Sequence, residues 1–272
     1  METRLGPLRL ATPVIAAAGV LGTLTDAARW PAEPLLGAAV TASLAYRSRG
    51  GRPPRIAETP AGALYVPSEA RTGIRVALRR VVRAWAAAPA PVVVSLADET
   101  PGALAAAAAE LEGTPGVAAI ELNLGEAEAP NGIPVGHDPR ATGETVRLVC
   151  RACALPVWIK LPADASDWEA VLAAGAASGA IAATLTAGWP AGGVDLRAGY
   201  LVGPATFPLG LALVQQIAPT APLPIIACGG VVSAVEARAY LRAGAAAVQV
   251  GSAHFANPRA AWQVAAGLAE DR

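Results

Sequence analysis

Eight short apolar segments alternate with longer stretches of helical period along this chain of 272 residues. The segments are rich in Val, Ile and Ala and show little polar alternation, which is typical of parallel strands buried on both faces. The length is that of one complete barrel of strand and helix pairs. Together these observations predict an α/β fold, a TIM (β/α)8 barrel formed by a single domain over residues 1–272 with a short N-terminal hairpin.

The predicted strands and helices follow one another in a regular order. The strands are Val14–Ala17, Ala38–Ser43, Val92–Leu96, Ala118–Leu122, Val157–Leu161, Ile181–Leu185, Pro224–Cys228 and Ala246–Val250. The helical segments are Asp26–Leu36, Gly73–Ala88, Gly102–Leu111, Asp138–Ala154, Asp167–Ser178, Ala205–Ile217, Ser233–Ala243 and Pro258–Ala269. Strands buried on both faces and each followed by a helix close more naturally into a barrel than into an open sheet.

Local signals mark several ends of these elements. Asp138 before Pro139 is typical of a helix N-cap followed by proline at the first helical position. Ser233 and Glu236 have the spacing of a capping box, and Gly244 indicates a helix end. These three signals support the boundaries of two predicted helices.

Three segments lie outside the strand and helix pattern. Thr3–Thr12, with Gly6 and Pro7 at its centre, predicts the hairpin, which we expect to plug the bottom of the barrel. Ala45–Thr72 and Leu124–Gly136 are long and rich in Pro with Gly and Arg or Glu, so we interpret them as loops. Both leave the C-terminal end of a strand, where barrel enzymes build their sites.

The composition excludes several classes of protein. Hydrophobic residues make up 54% and charged residues 15% of the chain, which leaves no case for disorder. Lys plus Arg and Asp plus Glu both total 21, so the basic excess of a nucleic-acid-binding protein is missing. The N-terminus lacks the apolar run of a signal peptide, and no segment has the length and hydrophobicity of a membrane span. We expect a soluble, cytoplasmic protein with no nucleic-acid or membrane partner.

The cysteines and histidines do not predict a metal site. An odd count of three cysteines fits a reducing compartment. Cys150 and Cys153 form a lone CxxC in an apolar helical stretch, which allows a redox or metal role but is better explained by packing. His137 and His254 lack the spacing that gives a metal two ligands on one helix face.

Two small-residue turns predict a phosphate site. The seventh predicted strand leads into Gly229 and Gly230, and the eighth leads into Gly251 and Ser252. The loops after strands seven and eight commonly bind phosphate in this fold, because glycine lets the backbone approach the anion. The alternative is that these glycines only permit tight corners, but their paired occurrence favours the phosphate site.

Polar residues end two otherwise apolar strands. Lys160 lies in the fifth strand, where a buried ammonium needs an anionic partner such as an electron-rich ring or a carboxylate. The alternative is a lysine at the rim that extends to water. Glu121 and Asn123 end the fourth strand, and we expect one of the two to point inward; the alternative is that Asn123 only turns the chain.

At this point several motifs resemble those of one family, the FMN-dependent dihydroorotate dehydrogenases, specifically the soluble class. The segment Arg55–Leu64 is similar to that family's Arg-Val-Ala-Glu-Thr-Pro-Gly-Gly-Met-Leu, and the resemblance covers nearly the whole chain. The other matching motifs are Gly37–Ser43, Glu121–Leu124, Pro156–Leu161, Gly203–Ala205, Pro224–Val231 and Ala243–Pro258. The last two are specific on their own, and the others are specific in combination.

The resemblance implies a set of cofactor contacts. It implies that Lys160 is a catalytic residue beside a flavin ring and that Asn123 lies near the ring and a small-molecule substrate. The residues that it assigns to FMN binding, including its phosphate, are Ala17, Gly19, Ser43, Gly203, Gly229, Gly230, Gly251 and Ser252. It also implies a homodimer or an electron-transfer partner subunit.

The departures from the family pattern concentrate on catalytic and substrate residues. The family's second strand carries Thr-Lys-Ser, but this chain has Ala42 in place of the lysine. The asparagines that bind orotate in the family are replaced within Tyr65–Arg71 and Ala183–Thr186, and Ser95 stands where the family often has another. The family's cysteine base is absent, and Glu126 occupies roughly its place, where a carboxylate can abstract a proton if its pKa is tuned; the alternative is a solvated loop residue.

Four functions are compatible with this pattern. The first is a dihydroorotate dehydrogenase-like oxidoreductase that binds FMN and acts on a CH–CH group of a different, less polar substrate. The second is a non-catalytic homologue that serves as a flavin-binding protein, a scaffold or a partner subunit. Dihydroorotate oxidation itself and an unrelated barrel chemistry, such as that of a sugar-phosphate lyase, are the remaining alternatives. The pattern favours the first.

Overall fold

A computed structural model of the chain describes residues 2–31, 35–125, 132–165, 167–186, 188–193 and 199–270. The strands in chain order are β1 (Thr3–Leu5), β2 (Leu8–Leu10), β3 (Val14–Ala16), β4 (Ala38–Val40), β5 (Leu44–Ala45), β6 (Arg55–Thr59), β7 (Gly62–Val66), β8 (Thr72–Gly73), β9 (Val92–Leu96), β10 (Val117–Asn123), β11 (Val157–Leu161), β12 (Ala183–Leu185), β13 (Trp189–Ala191), β14 (Gly199–Val202), β15 (Ile225–Cys228) and β16 (Ala247–Val250). The α-helices are α1 (Ile74–Ala86), α2 (Pro101–Ala109), α3 (Pro139–Ala152), α4 (Trp168–Ala177), α5 (Phe207–Ile217), α6 (Ala234–Arg242), α7 (Ala253–Ala256) and α8 (Ala260–Glu270).

Eight of the strands form a closed parallel barrel. Their order is β10, β11, β12, β15, β16, β3, β4 and β9, and β9 pairs again with β10. Each of the eight predicted strands coincides with one of these, so the predicted TIM barrel is confirmed. The second predicted strand was too long: β4 ends at Val40, because the N–H of Ala42 turns away to bond the carbonyl of Gly22 at 2.7 Å.

Seven of the eight predicted helices are present with ends close to those predicted. Asp138 accepts a hydrogen bond from the N–H of Ala141, and Ser233 and Glu236 form the predicted capping box. Gly244 follows α6 with a φ of +104°, the left-handed conformation of a helix end.

The first predicted helix, Asp26–Leu36, is wrong. The described part of this segment contains only a 3-10 turn, Ala27–Arg29, and residues 32–34 lie outside the described ranges. Trp30 has an extended conformation with ψ of 153°, because the residue before a proline, here Pro31, is sterically kept out of the helical region.

The N-terminal hairpin plugs the bottom of the barrel, as predicted. Strands β1 and β2 pair in antiparallel fashion, with Leu5 opposite Leu8. Leu5 and Leu10 are completely buried and pack in one cluster with Ile15 and Trp158 from the barrel interior. Four apolar side chains from three separate parts of the chain therefore close this end.

The interpretation of Ala45–Thr72 as a loop is wrong in part. It contains β6 and β7, which form a hairpin and continue through β14 to β13 as a four-stranded antiparallel sheet. Tyr65 of β7 lies opposite Tyr200 of β14 in this sheet. The second long segment, Leu124–Gly136, contains residues 126–131, which lie outside the described ranges. Among the described helices, none combines the length and the apolar character needed to cross a membrane.

Candidate active site at the barrel mouth

The interior of the barrel has an apolar layer near the bottom and a polar layer above it. Residues two positions apart in a strand share one face, so alternate residues point into the barrel. Ala119 and Trp158 belong to the apolar layer. Glu121 and Lys160 follow them by two positions, and Gln249 of β16 hydrogen-bonds to both. The mouth is therefore lined by charged and amide side chains.

Lys160 lies at the top of this polar layer. Its side chain is 13% exposed, and its Nζ lies 3.8 Å from Oε1 of Glu121, which is ion-pair range without a hydrogen bond. Nζ donates a hydrogen bond to Oε1 of Gln249 at 3.1 Å. Burial lowers the pKa of the Lys160 ammonium, but the Glu121 carboxylate and, to a smaller extent, Cys228 together outweigh burial, so the pKa is raised. Lys160 is thus a charged group inside the barrel and does not extend freely to water.

Glu121 is the carboxylate that the sequence left open as a partner of Lys160. It is completely buried, and its Oε2 accepts hydrogen bonds from Trp158 Nε1 at 2.9 Å, Thr184 Oγ1 at 3.1 Å and Gln249 Nε2 at 2.5 Å. The sequence predicted that one of Glu121 and Asn123 points inward, and Glu121 does, but the sequence assigned it no role in the site. The available signal was its position, two residues after the inward-facing Ala119.

Asn123 ends β10 directly beside Lys160 in the parallel ladder. It shares the inner face with Glu121, because the two are two residues apart in one strand. Its Oδ1 accepts a hydrogen bond from the N–H of Gly125 at 3.3 Å, so the side chain also turns the chain. The turn and the site interpretations of Asn123 are therefore compatible.

The two small-residue turns leave neighbouring strands at the same rim. Cys228 of β15 pairs with Gln249 of β16, and Gly229 and Gly251 follow within two residues. Gly229 and Gly230 have φ values of +124° and +67°, which favour glycine. This is the neighbouring arrangement that the phosphate site requires.

Gly230 also packs against the beginning of α5. A Cβ at this position would lie 2.5 Å from the backbone nitrogen of Phe207, so no larger residue fits without moving the helix. Tyr240 of α6 fixes the same turn, because its buried hydroxyl donates a hydrogen bond to the carbonyl of Gly229 at 2.8 Å. Burial raises the pKa of Tyr240, which keeps this hydroxyl protonated as a donor.

The predicted residues that follow the first two barrel strands begin beside the turn after β16. A Cβ at Gly251 would lie 3.6 Å from the Cβ of Ala17, so these two predicted residues are neighbours. Gly19, with a φ of +84°, lies against the backbone of Ala42. Ser43 is further along, and its Oγ lies 2.9 Å from Oγ of Ser95. Ala17 and Gly251 are thus adjacent, and Gly19 lies next to the residue that precedes Ser43.

Gly203 lies beside the hairpin of β6 and β7. Its φ is +102°, and a Cβ there would lie 2.7 Å from the Cα of Gly62. The N–H of Ala205 bonds the carbonyl of Ala61 at 2.9 Å. The Glu-Thr-Pro motif of the hairpin is therefore joined to the Gly-Pro-Ala motif before α5, a contact between two motifs that sequence reasoning treated separately.

Thr186, just after β12, has a strained backbone. Its φ is +37°, which is rare for a β-branched residue and costs about 1–3 kcal/mol. The strain is held by hydrogen bonds between Thr186 Oγ1 and the carbonyl and N–H of Gly188, at 3.0 and 3.2 Å. Such strain concentrates at functional sites. The sequence identified this position only as a departure from the family's asparagine.

The predicted catalytic residue Glu126 lies outside the described residues. After the same loop, His137 Nε2 lies 3.1 Å from Asp164 Oδ1, which joins the loop end to the segment after β11. In the turn after β16, His254 Nδ1 lies 3.2 Å from the carbonyl of Gly251. Burial lowers the pKa of His254, so this ring is neutral. Sequence reasoning assigned neither histidine to the site.

The CxxC pair lies away from the mouth, at the end of α3. Cys150 is half-buried and Cys153 is buried, and both are free thiols. Burial raises the pKa of Cys153 to about 11, so it is a poor nucleophile at neutral pH. Among the described residues, no three His, Cys, Asp or Glu side chains are grouped so as to hold a metal ion.

The closed parallel barrel, with the mostly buried Lys160 ammonium and two small-residue turns at one mouth, defines a protein of the β/α-barrel class. The particular family follows from comparison with known proteins. The family model described as dihydroorotate dehydrogenase matches residues 1–271, so this chain belongs to the dihydroorotate dehydrogenase family.

Curated relatives cover almost the full chain. The catalytic subunit of dihydroorotate dehydrogenase B (NAD(+)) from Desulforudis audaxviator is 36% identical over 275 residues, covering 96% of this chain and 89% of that protein. The protein of the same description from Pelobacter propionicus is 34% identical over 282 residues, covering 98% of this chain and 92% of the relative. That from Geotalea daltonii is 33% identical, with the same coverage of both chains. The chain is similar to oxidoreductases named as catalytic subunits.

Proposed function

We propose that this protein is an FMN-binding oxidoreductase that acts on a CH–CH group of a small-molecule substrate other than dihydroorotate. The observation that carries the proposal is Lys160. It is the only lysine in the sequence, and it lies inside the barrel mouth. A fixed ammonium at this place suits the electron-rich edge of a flavin ring, whose reduced form carries additional negative charge.

The other residues of the mouth fit the same cofactor. Gly229 and Gly230, with positive φ, and the neighbouring Gly251 and Ser252 would hold the phosphate, since these turns leave adjacent strands. Ala17, Gly19, Ser43, Asn123 and Gly203 would line the rest of the cofactor. When bound, FMN supplies the hydride acceptor.

The substrate side of the mouth supports a substrate other than dihydroorotate. Ala42 lies against Gly19 and carries no ammonium. Ser43 and Ser95 hydrogen-bond to each other, and Thr184 donates to Glu121. Short hydroxyl groups already paired within the protein do not replace the amide contacts of the family, and an unmade hydrogen bond to a polar substrate costs affinity.

The proton acceptor is the least defined part of the proposal. We propose Glu126, which stands roughly where the family has its cysteine base. Lys160 does not serve as the base, because its raised pKa keeps it charged and leaves no lone pair to accept a proton. Its role is electrostatic.

The test is anaerobic mixing of the FMN-loaded protein with excess dihydroorotate while flavin absorbance is followed. The matched control is the Desulforudis relative under the same conditions. Glu126 replaces only the proton acceptor and not the amide contacts to orotate, and each unmade hydrogen bond to a polar substrate costs about 1–3 kcal/mol, so we expect bleaching at least about 100-fold slower than in the relative. Dithionite then bleaches the same sample and shows that its flavin is reducible.

Three outcomes have distinct meanings. Bleaching as fast as in the relative contradicts the proposed change of substrate. A protein that binds no FMN contradicts the cofactor and favours the non-catalytic alternative. The variant Ala42→Lys with Glu126→Cys restores the family's lysine and cysteine, and we expect it to bleach faster with dihydroorotate than the unmodified protein.

We also propose that the protein works with an electron-transfer partner subunit. The relatives are named as catalytic subunits, which supports a partner in their case. The test is co-purification of a redox-active subunit with the tagged chain from its native cells, with size-exclusion chromatography of the chain alone to measure whether it is also a homodimer. If no subunit co-purifies, the predicted partner subunit is contradicted. If the chain alone elutes as a monomer, the predicted homodimer is contradicted.

A further inference from the structure

The two carboxylate oxygens of Glu121 differ in the number of hydrogen bonds that they accept. Three neutral donors, from Trp158, Thr184 and Gln249, bond to Oε2. Within the described part of the chain, the buried Oε1 has no hydrogen-bond partner. Three bonds on one oxygen fix the plane of the carboxylate and direct the other oxygen at Lys160, 3.8 Å away.

Gln249 connects the two charges through its amide. Its Nε2 donates to Glu121 at 2.5 Å, and its Oε1 accepts from Lys160 Nζ at 3.1 Å. An amide has distinct donor and acceptor ends, so this pair of contacts fixes its orientation. Lys160 is thereby held from two sides, and 13% of its side chain remains exposed.

We propose that Glu121 is a positioning residue that fixes the Lys160 ammonium at the barrel mouth and thereby strengthens cofactor binding. The second part rests on the proposed function as an FMN-binding protein. Glu121 acts through Lys160 and does not itself need to contact the cofactor.

The charge balance around Lys160 supports this role. The titratable groups that act on it in the described structure are Glu121 from β10 and Cys228 from β15. Burial lowers the pKa of Lys160, and Glu121 is the main group that raises it. Burial also raises the pKa of Cys228, so this thiol is neutral and does not replace the carboxylate. Removal of the Glu121 charge takes away the largest contribution that opposes the desolvation of Lys160.

The first experiment uses the fact that the chain has a single lysine. Protein labelled with isotopic lysine gives one side-chain NMR signal, so the pKa of Lys160 is measured directly without FMN. We expect a value above that of free lysine, about 10.4, in the unmodified protein. We expect Glu121→Gln to lower it by about one unit or more, because burial of an unpaired ammonium disfavours the charge.

Thr184→Val is the matched control, because it removes one hydrogen bond to the same carboxylate and leaves the charge in place. We expect the Lys160 pKa of this variant to stay close to that of the unmodified protein. An unchanged pKa in folded Glu121→Gln overturns the proposal. If that variant does not fold, the unmodified protein still tests it, since a pKa below that of free lysine is incompatible with the positioning role.

The second experiment measures the FMN dissociation constant in a double-mutant cycle with Lys160→Met. We expect Glu121→Gln alone to weaken FMN binding about tenfold, which corresponds to about 1.4 kcal/mol. In the Lys160→Met background we expect little further loss. If Glu121→Gln weakens FMN binding equally in the unmodified protein and in Lys160→Met, the proposal is overturned. If the unmodified protein binds no FMN, the proposed function fails, while the lysine titration still decides the positioning of Lys160.

Discussion

Tyr240 connects two helices and the glycine turn through one hydroxyl group. The side chain is completely buried on α6, and its ring packs edge-on against Phe207 with centroids 5.4 Å apart. A Cβ at Gly210 would lie 2.3 Å from the hydroxyl, so α5 carries glycine at this position to make room. A single side chain thereby sets the position of Gly229.

We expect Tyr240→Phe to lower the free energy of unfolding by about 1–3 kcal/mol, because the buried carbonyl of Gly229 loses its donor. Urea denaturation measures this change. The control is Tyr46→Phe on a half-buried ring, for which we expect a change within about 0.5 kcal/mol. Equal effects of the two substitutions would show that the hydroxyl bond at Gly229 has no special contribution.

At the scale of elements, the turn after β15 and the beginning of α5 fit together only through glycine. Gly230 combines a φ of +67° with a closely packed backbone neighbour. Gly22 has a similar φ of +61°, but a Cβ there meets no atom within 4 Å. The two positions separate the effect of backbone conformation from that of close packing.

We expect Gly22→Ala to destabilise the protein by about 1 kcal/mol through backbone strain alone. Gly230→Ala adds overpacking, for which we expect a further loss of about 1–3 kcal/mol. Denaturant unfolding of the two variants measures the difference. Equal losses would contradict the close packing of the turn on α5.

At the scale of the whole molecule, several buried groups favour their protonated forms. Burial raises the pKa of Cys150, Cys153, Cys228 and Tyr240, and the pKa of Lys160 is raised despite burial by its ion pair with Glu121. In each case the folded protein holds its proton to a higher pH than the unfolded chain. The stability from these groups is complete below the unfolded pKa values and is lost as the pH rises through the folded ones.

We therefore expect the free energy of unfolding to fall as the pH rises above about 8.5, where unfolded cysteine begins to lose its proton, and to fall further above about 10, where tyrosine and lysine follow. Urea denaturation at successive pH values under reducing conditions measures the curve. For the variant Tyr240→Phe, we expect the free energy of unfolding to fall less steeply above about pH 10. A curve that stays flat from pH 8 to 11 would contradict these shifts.

Much of the architecture follows from local features of the sequence. The eight apolar runs, the cap at Asp138 and the capping box at Ser233 depend on neighbouring residues, and the structure has all of them. The helix predicted over Asp26–Leu36 is absent from the described residues of that segment because Pro31 keeps the preceding Trp30 out of the helical conformation, although the segment is otherwise helical in composition. The single-domain boundary, the cytoplasmic location and the roles of the site residues stay predictions.

The sequence by itself determined where the eight barrel strands lie, where the glycine turns lie and that Lys160 needed an anionic partner. These properties depend on side-chain type and on spacing along a few residues. Only the tertiary structure decided that the partner is Glu121 and that Gln249, 128 residues away, joins it to Lys160. It also decided that β6 and β7 pair with β13 and β14. Barrel closure and strand pairing bring distant residues together, and no local pattern specifies which inward-facing side chains then meet.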